Sequence, residues 1–387
     1  MGPLQVVLEL IERFFFYIPP FLLVLTVIVF IHELGHFLVA RWCGVEVTTF
    51  SIGFGPEVFG WNDRKGTRWR VAWIPLGGYV KFVDDDNVAS VPTTSGSASE
   101  QLDPRRREGL FHSKSVGQRA AIVAAGPLAN FVLAIAVFSS VFYFFGEAVT
   151  PAKVDRVVPG GAAEAAGFQP GDLIIAIDGS PVESFNDVQK VVYPNADREL
   201  TFTLDRAGQK IDLKATPKRT EQTDRFGNIY PIGLIGVERT TKREELIEKT
   251  YSVPMSIARG VGETQFIVER TLGLLRDVII GKESVKQLGG PIAMAEASGQ
   301  WATLGTADFI RFIAIVSISI GLFNLFPIPI LDGGNLLFYA IEAIWQRPLS
   351  ERTQAIGFRI GLAILGMLMV FVMTKDILKS IEKFMGI

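Results

Sequence analysis

Long apolar runs, short alternating stretches and polar connectors divide this chain into different materials. Four runs approach the twenty residues that a membrane-crossing helix needs: about Ile18–Trp42, Ala120–Phe145, Phe309–Ile330 and Ile356–Thr374. The third is broken by Pro327 and Pro329, each of which removes a backbone donor. Residues 44–83 alternate as strands do, in VEVTTFSIGFG and RWRVAWIPLGGYVKFV, with Trp69, Val71 and Trp73 on one face. With Gly77-Gly78 as its turn, this segment predicts a small hairpin beside the membrane. Residues 84–108, acidic from Asp84 to Asp86 and then Ser/Thr/Ala-rich, read as a solvated, mobile loop.

Between residues 151 and 217, short β-branched runs (VDRVV, DLIIAI, LTFTL, KIDLKA) are separated by Pro/Gly turns, with helical stretches at AAEAAG and FNDVQKVV. That pattern predicts a compact, mainly-β module. From about 241 to 300 the pattern is helical again, and IARGVGETQFIVERTLGLL mixes charge and apolar positions too densely to cross lipid. An amphipathic helix at the outer face fits it. The expected fold is a polytopic α-helical membrane protein of about four transmembrane helices, with a membrane-associated β-hairpin and an inserted mainly-β domain. The predicted organisation is 1–43 with the first span, 44–118 hairpin and loop, 119–146 second span, 147–220 β module and 221–308 linker and amphipathic helices. There follow 309–334 as third segment, 335–355 as a cytoplasmic loop, and 356–387 as the last span and tail.

Composition sharpens this. With 387 residues, 49% of them hydrophobic, and a mean hydropathy of +0.32, the chain is too apolar for an ordinary soluble domain. A net charge of -2 without a basic block gives no sign of a nucleic-acid partner, and none is expected. One cysteine, Cys43, excludes internal disulfides and CxxC metal sites, so a metal would be held by His, Asp or Glu. The first run reads as retained rather than cleaved, since Glu9, Glu12 and Arg13 precede it instead of a basic start. Arg64, Lys65, Arg68, Arg70, Lys81, Arg105 to Arg107, Lys114 and Arg119 place the first inter-span loop in the cytoplasm, and Arg347 and Arg352 the last. The N-terminus, residues 147–308 and the C-terminus are then outside.

The chemistry centres on His32-Glu33-x-x-His36, within the first span. A helix sets residues four apart on one face, so both imidazoles can converge on one ion. Glu33, about 100° round the helix, lies where a general base for an activated water belongs. An acidic residue inside a span costs on the order of 2.5–3.5 kcal/mol, which a bound divalent cation offsets. Zinc suits imidazole and carboxylate, and a catalytic zinc takes three protein ligands. Asp332, in NLFPIPILDGG (324–334), is the candidate third ligand, on irregular backbone at membrane depth. Read alone it reads better as an exposed loop aspartate; together with both histidines it reads better as a ligand. Gly126 and Ala129 of GPLAN (126–130) read as helix packing, Asn130 is given no catalytic role, and His112 reads as solvated.

HELGH, GPLAN, NLFPIPILDGG and a stretch, VVPGGAAEAAGFQPGDLIIAIDGSPV, that is similar to a bacterial PDZ domain together resemble the site-2 protease family. These are intramembrane zinc metalloproteases, and the likeness is to their bacterial RseP-like form with a single PDZ domain. The resemblance implies hydrolysis of peptide bonds inside transmembrane segments, with one Zn2+ per chain on His32, His36 and Asp332 and Glu33 as catalytic acid/base. It further implies that Asn324 holds the substrate or stabilises developing charge, and that the loop around Gly77, Gly78 and Tyr79 is the family's membrane-associated β-hairpin. Because a substrate helix must unwind, the strand edge Tyr79–Phe82 is a candidate to pair with it, the alternative being a hairpin that only plugs the cytoplasmic mouth. The partners implied are a single-span transmembrane substrate such as an anti-sigma factor, a peptide ligand for the PDZ-like domain, and membrane lipid. The site would face the cytoplasmic side of a bacterial inner membrane, with the PDZ-like domain extracytoplasmic. Rival readings are an ion or proton transporter using Glu33 and Asp332, and a non-catalytic scaffold.

Overall fold

The structure, a computed structural model, describes residues 3–84, 108–223, 229–239, 247–281 and 289–385. Most of the expected mobile loop, with Asp85, Asp86 and Arg105 to Arg107, lies outside the described residues. Two compact units are present, Met1–Ser140 with Ile257–Ile387, and Val141–Ser256.

The first unit begins with α1 (Pro3–Trp42), which continues through Pro19 and Pro20. Strands β1 (Val47–Asn62) and β2 (Arg68–Phe82) follow, then α2 (Val116–Phe144). The β1–β2 turn is at residues 63–67, where Asp63 accepts from the main chain of Lys65 and Thr67 and sits beside Arg41. Gly77-Gly78, expected to form that turn, lie inside β2. Both strands are bent, so that Thr49 faces both Lys81 and Arg68, and Ile52 both Gly78 and Val71. The bend separates the face shared in sequence. Trp69 stacks on buried Phe50 at 4.3 Å between centroids, whereas Val71 and Trp73 are exposed. A hairpin with this many uncovered aromatics has the surface of a lipid-facing element.

The second unit has its own core. Strands β3 (Glu147–Val149) and β4 (Arg156–Val157) lead to α3 (Ala162–Ala166), β5 (Leu173–Ile177), β6 (Ser180–Pro181), α4 (Phe185–Val192), β7 (Leu200–Arg206) and β8 (Gln209–Ala215). Its main sheet has the order β6-β5-β7-β8, all antiparallel. Val154, Ile174, Phe202 and Leu204 are fully buried against it. Ser184 and Asp187 cap α4 reciprocally, satisfying donors that the first turn leaves free. Asp172 is almost completely buried, pairs with Arg206 at 2.7 Å, and is held below the usual carboxylate range by those hydrogen bonds. Strands β9 (Lys218–Thr223) and β10 (Ile229–Leu234) form a hairpin; β11 (Val237–Glu238) pairs with β4, and β12 (Ile247–Lys249) with β3.

Helix α5 (Val253–Ile279) leads back into the first unit, which continues with α6 (Pro291–Ala302), α7 (Thr306–Asn324), α8 (Asp332–Trp345) and α9 (Glu351–Met385). Much of the stretch expected as a cytoplasmic loop after residue 334 is α8. Among the described residues, four segments are long and apolar enough to cross a membrane: Phe15–Trp42, Val116–Phe144, Thr306–Asn324 and Arg352–Leu378. The third ends at Asn324 rather than near Ile330, because the prolines that follow cannot continue its ladder. Inside hydrocarbon only helices satisfy every backbone group of a lone segment, so each apolar run becomes one. His112 is exposed, as expected, and also meets Asp84: its main-chain N–H donates at 2.9 Å and its Nδ1 lies 2.8 Å away. Burial raises the Asp84 carboxyl, but the bonds from His112 and Phe111 more than offset this and hold it low.

Candidate metal centre

His32 and His36 are one turn apart on α1, with ring centroids 4.8 Å apart and their Nε2 atoms at 3.1 Å. Asp332 is the first residue of α8, its Oδ2 lying 3.1 Å from His32 Nε2 and 3.6 Å from His36 Nε2. It is placed by the segment before it. Residues 325–331 run through tight turns in which Ile328 and Ile330 donate to carbonyls only two residues back, at 2.7 Å. Gly333 and Gly334 are needed for space: a Cβ on the first would overlap the Leu325 and Phe326 carbonyls, and on the second the Ile328 carbonyl. From the far side, Gly361 of α9 lets Pro329 approach, since a Cβ there would sit 3.0 Å from its carbonyl carbon. The loop is thus folded tightly over the start of α8, with Asp332 at a helix N-terminus where negative charge is favoured.

The three ligand atoms lie within 4.8 Å of one another and are mostly buried. Bonds of about 2.0–2.1 Å to a tetrahedral zinc would set ligand atoms about 3.3 Å apart. Separations of 3.1, 3.1 and 3.6 Å match that edge. His36 Nδ1 is bonded to the Ile122 carbonyl at 2.9 Å and so carries the proton, leaving a lone pair on Nε2. Two nitrogens and one carboxylate oxygen are also the donor set that zinc accepts.

The main chain of Val80 hydrogen-bonds Glu33. Gly78 makes this approach possible, because a Cβ there would sit 3.2 Å from Glu33 Cγ and 3.1 Å from Val29 Cγ1. The Gly78–Phe82 stretch of β2, paired with β1 on one edge, therefore turns its other edge to Glu33. Gly77 and Tyr79 pack on Phe54 instead: Gly77 has a φ of 132° against that ring, and Tyr79 stacks on it at 6.1 Å. Asn324 closes α7, on the other side of the proline segment from Asp332.

Helix α2 contributes more than its sequence suggests. Gly35 meets Ala125 and Ala129, where a Cβ would lie 2.8 Å from Ala129 Cβ, so the two helices touch there. Gly126 faces the imidazoles themselves. A Cβ at 126 would overlap His36 Nε2 and lie 2.8 Å from His32 Nε2. Asn130, completely buried, has its Nδ2 3.2 Å from His32 Nδ1. The spacing of Gly126 and Asn130, four apart on one face of the helix, was the available signal. The Ile122 carbonyl had none, since every residue carries one.

Comparison with known proteins gives the same family throughout. The Peptidase family M50 matches residues 20–368. A protein of Agrobacterium fabrum named "Putative zinc metalloprotease" is 46% identical over 363 residues, 93% of this chain and 95% of that one. One of the same description from Rhizobium meliloti is 44% identical over 368 residues, 95% and 98% of the two chains. The metalloprotease MmpA of Caulobacter vibrioides is 38% identical over 390 residues, 94% and 96%.

Proposed function

The chain belongs to Peptidase family M50, the site-2 proteases, and is a zinc metalloprotease; from this premise we propose that it hydrolyses peptide bonds within the transmembrane segments of single-span proteins. The observation that carries the reading is the convergence of His32 and His36, on a helix of membrane-crossing length, with Asp332 of α8 at zinc-ligand separations. In this reading the three residues hold one zinc, which when bound supplies Lewis-acid activation of water and of the scissile carbonyl.

The chain's own groups do the rest. Glu33 takes a proton from the attacking water on a carboxylate oxygen and returns it to the leaving amide nitrogen. The Val80 hydrogen bond and the absent side chain at Gly78 hold that carboxylate against the ligand set. A substrate helix must unwind to present its carbonyl, and the edge of β2 at Tyr79–Phe82 would offer main-chain partners for the bonds it loses. Gly77 and Tyr79 contribute by shaping this edge through Phe54. Asn324 contacts the substrate or the developing charge across the proline segment. The second unit acts as a PDZ-like domain outside the cytoplasm, filtering substrates or taking a peptide. The site lies towards the cytoplasmic side of a bacterial inner membrane, in regulated intramembrane proteolysis of an anti-sigma factor or similar protein.

The test is zinc analysis of the purified protein alongside cleavage of a model transmembrane substrate. Glu33→Gln should keep zinc and lose cleavage, and Asp332→Asn should weaken zinc and lose cleavage. Zinc retained undiminished in Asp332→Asn, or cleavage by Glu33→Gln, would remove the assignment.

A further inference from the structure

Both imidazoles are gripped from behind by one stripe of α2. At His36 the grip is legible: the Ile122 carbonyl takes the Nδ1 proton at 2.9 Å, so Nε2 can ligate. At His32 the corresponding contact is with Asn130, whose amide nitrogen is drawn 3.2 Å from Nδ1 while its Oδ1 is buried without a partner. If that nitrogen donates to Nδ1, the proton of neutral His32 must sit on Nε2. It would then point into the 3.1 Å gaps to His36 Nε2 and Asp332 Oδ2, where a cation has to go. Oxygen and nitrogen of an amide exchange by a half-turn and look alike in shape. The half-turn brings Oδ1 to Nδ1 and moves the proton out of the ligand set.

We propose that Asn130 is a positioning residue for His32, its Oδ1 accepting from the imidazole Nδ1–H so that Nε2 turns its lone pair towards Asp332 and His36. This rests on the reading of His32 as a zinc ligand. A ligating imidazole has its ring orientation and proton fixed by the partner of its other nitrogen, and losing such a partner typically weakens metal binding 10–100-fold. Asn130 is built to be that partner. It is fully buried, Ser317 Oγ donates to its main-chain carbonyl at 3.0 Å, and a Cβ on Gly321 of α7 would lie 3.1 Å from its own Cβ. Helix α7 therefore packs against the main chain and Cβ of Asn130 and fixes where its side chain starts. GPLAN accordingly has two separable duties: Gly126 admits the rings, and Asn130 sets the proton on one of them.

The experiment is a zinc titration of the full-length protein in detergent against a chromophoric chelator, with the absorption spectrum of the cobalt-substituted form and thermal unfolding of the metal-free form measured in parallel. Asn130→Leu, which keeps the branched outline of the side chain but carries no polar atom, should weaken zinc binding about 10–100-fold and alter the cobalt spectrum. Asn130→Asp, which keeps an acceptor for Nδ1–H, should restore affinity and spectrum to near wild type. A packing role predicts the reverse, because a buried carboxylate without a donor is worse than leucine. Wild-type zinc affinity in Asn130→Leu, or Asn130→Asp as weak as leucine, overturns the proposal. His32→Ala separates the two layers: if it still binds zinc tightly, the ligand assignment falls and this proposal with it. If it loses zinc while Asn130→Leu does not, only the role of Asn130 falls.

Discussion

Replacing Gly126 with alanine adds one methyl group and should empty the metal centre. The new Cβ would lie 2.8 Å from His32 Nε2 and 2.5 Å from His36 Cε1, and would overlap His36 Nε2, where ordinary contact begins at 3.4 Å. His32 must therefore retreat by roughly 0.6 Å and His36 by more, or the two helices must part and give up the close packing of Gly35 on Ala125 and Ala129. Ligand distances in a working zinc site hold to about 0.2 Å, so the displacement is around three times what coordination tolerates. Misplacement on that scale should lower zinc affinity by about 100-fold or more, with a similar loss of cleavage. Overpacking would add about 1–3 kcal/mol of destabilisation, visible as a lowered unfolding temperature. The control is on the same helix: a Cβ at Gly117 meets nothing within 4 Å, so Gly117→Ala should leave zinc content, cleavage and stability unchanged. Chelator-competition titration of both variants decides it. Wild-type zinc affinity in Gly126→Ala would refute the claim that this glycine clears space for the two rings.

Three further outcomes are expected. Val80→Pro, which removes the donor facing Glu33 from the β2 edge, should retain zinc yet lose cleavage of a transmembrane substrate; unimpaired cleavage would mean that the edge only plugs the site. Asp172 titrates below the usual range because of Arg206. A depressed folded value means that its contribution is present above a pH of about 4 and is lost as pH falls through that lower value. Arg206→Ala should therefore speed amide exchange of β5 and β7 at neutral pH and narrow the gap to wild type under acid, and a gap that widened under acid would contradict the sign. Asp376, buried on α9, accepts from the Ala293 main chain at 3.1 Å and caps α6, whose own cap residue is Gly290. Asp376→Ala should cost about 1 kcal/mol in unfolding experiments, and a variant as stable as wild type would show that the cap contributes nothing.

Sequence alone carried everything that depends on a single turn of helix or on solubility in lipid. Two histidines four apart on an apolar run must share a helix face, and apolar runs of membrane length must become helices because no other form satisfies their backbone. Proline at 327 and 329 likewise told that the third helix stops, though the stop comes at Asn324. What the tertiary structure decided are contacts across long separations, which have no period. The hairpin turn moved from Gly77-Gly78 to residues 63–67, because bends in both strands let one segment of β1 face two segments of β2. The second glycine of that pair faces Glu33, and Gly333 and Gly334 make room for carbonyls, so these residues are conserving space rather than making turns. His112 found Asp84, 28 residues away. Asn130 reached His32 across 98 residues and Ile122 reached His36 across 86. A ligand pair on one helix is set by local geometry, but the third ligand and the groups that aim the imidazoles are set by which helix faces pack together, and that is fixed only when small residues such as Gly35, Gly126 and Gly321 let those faces meet.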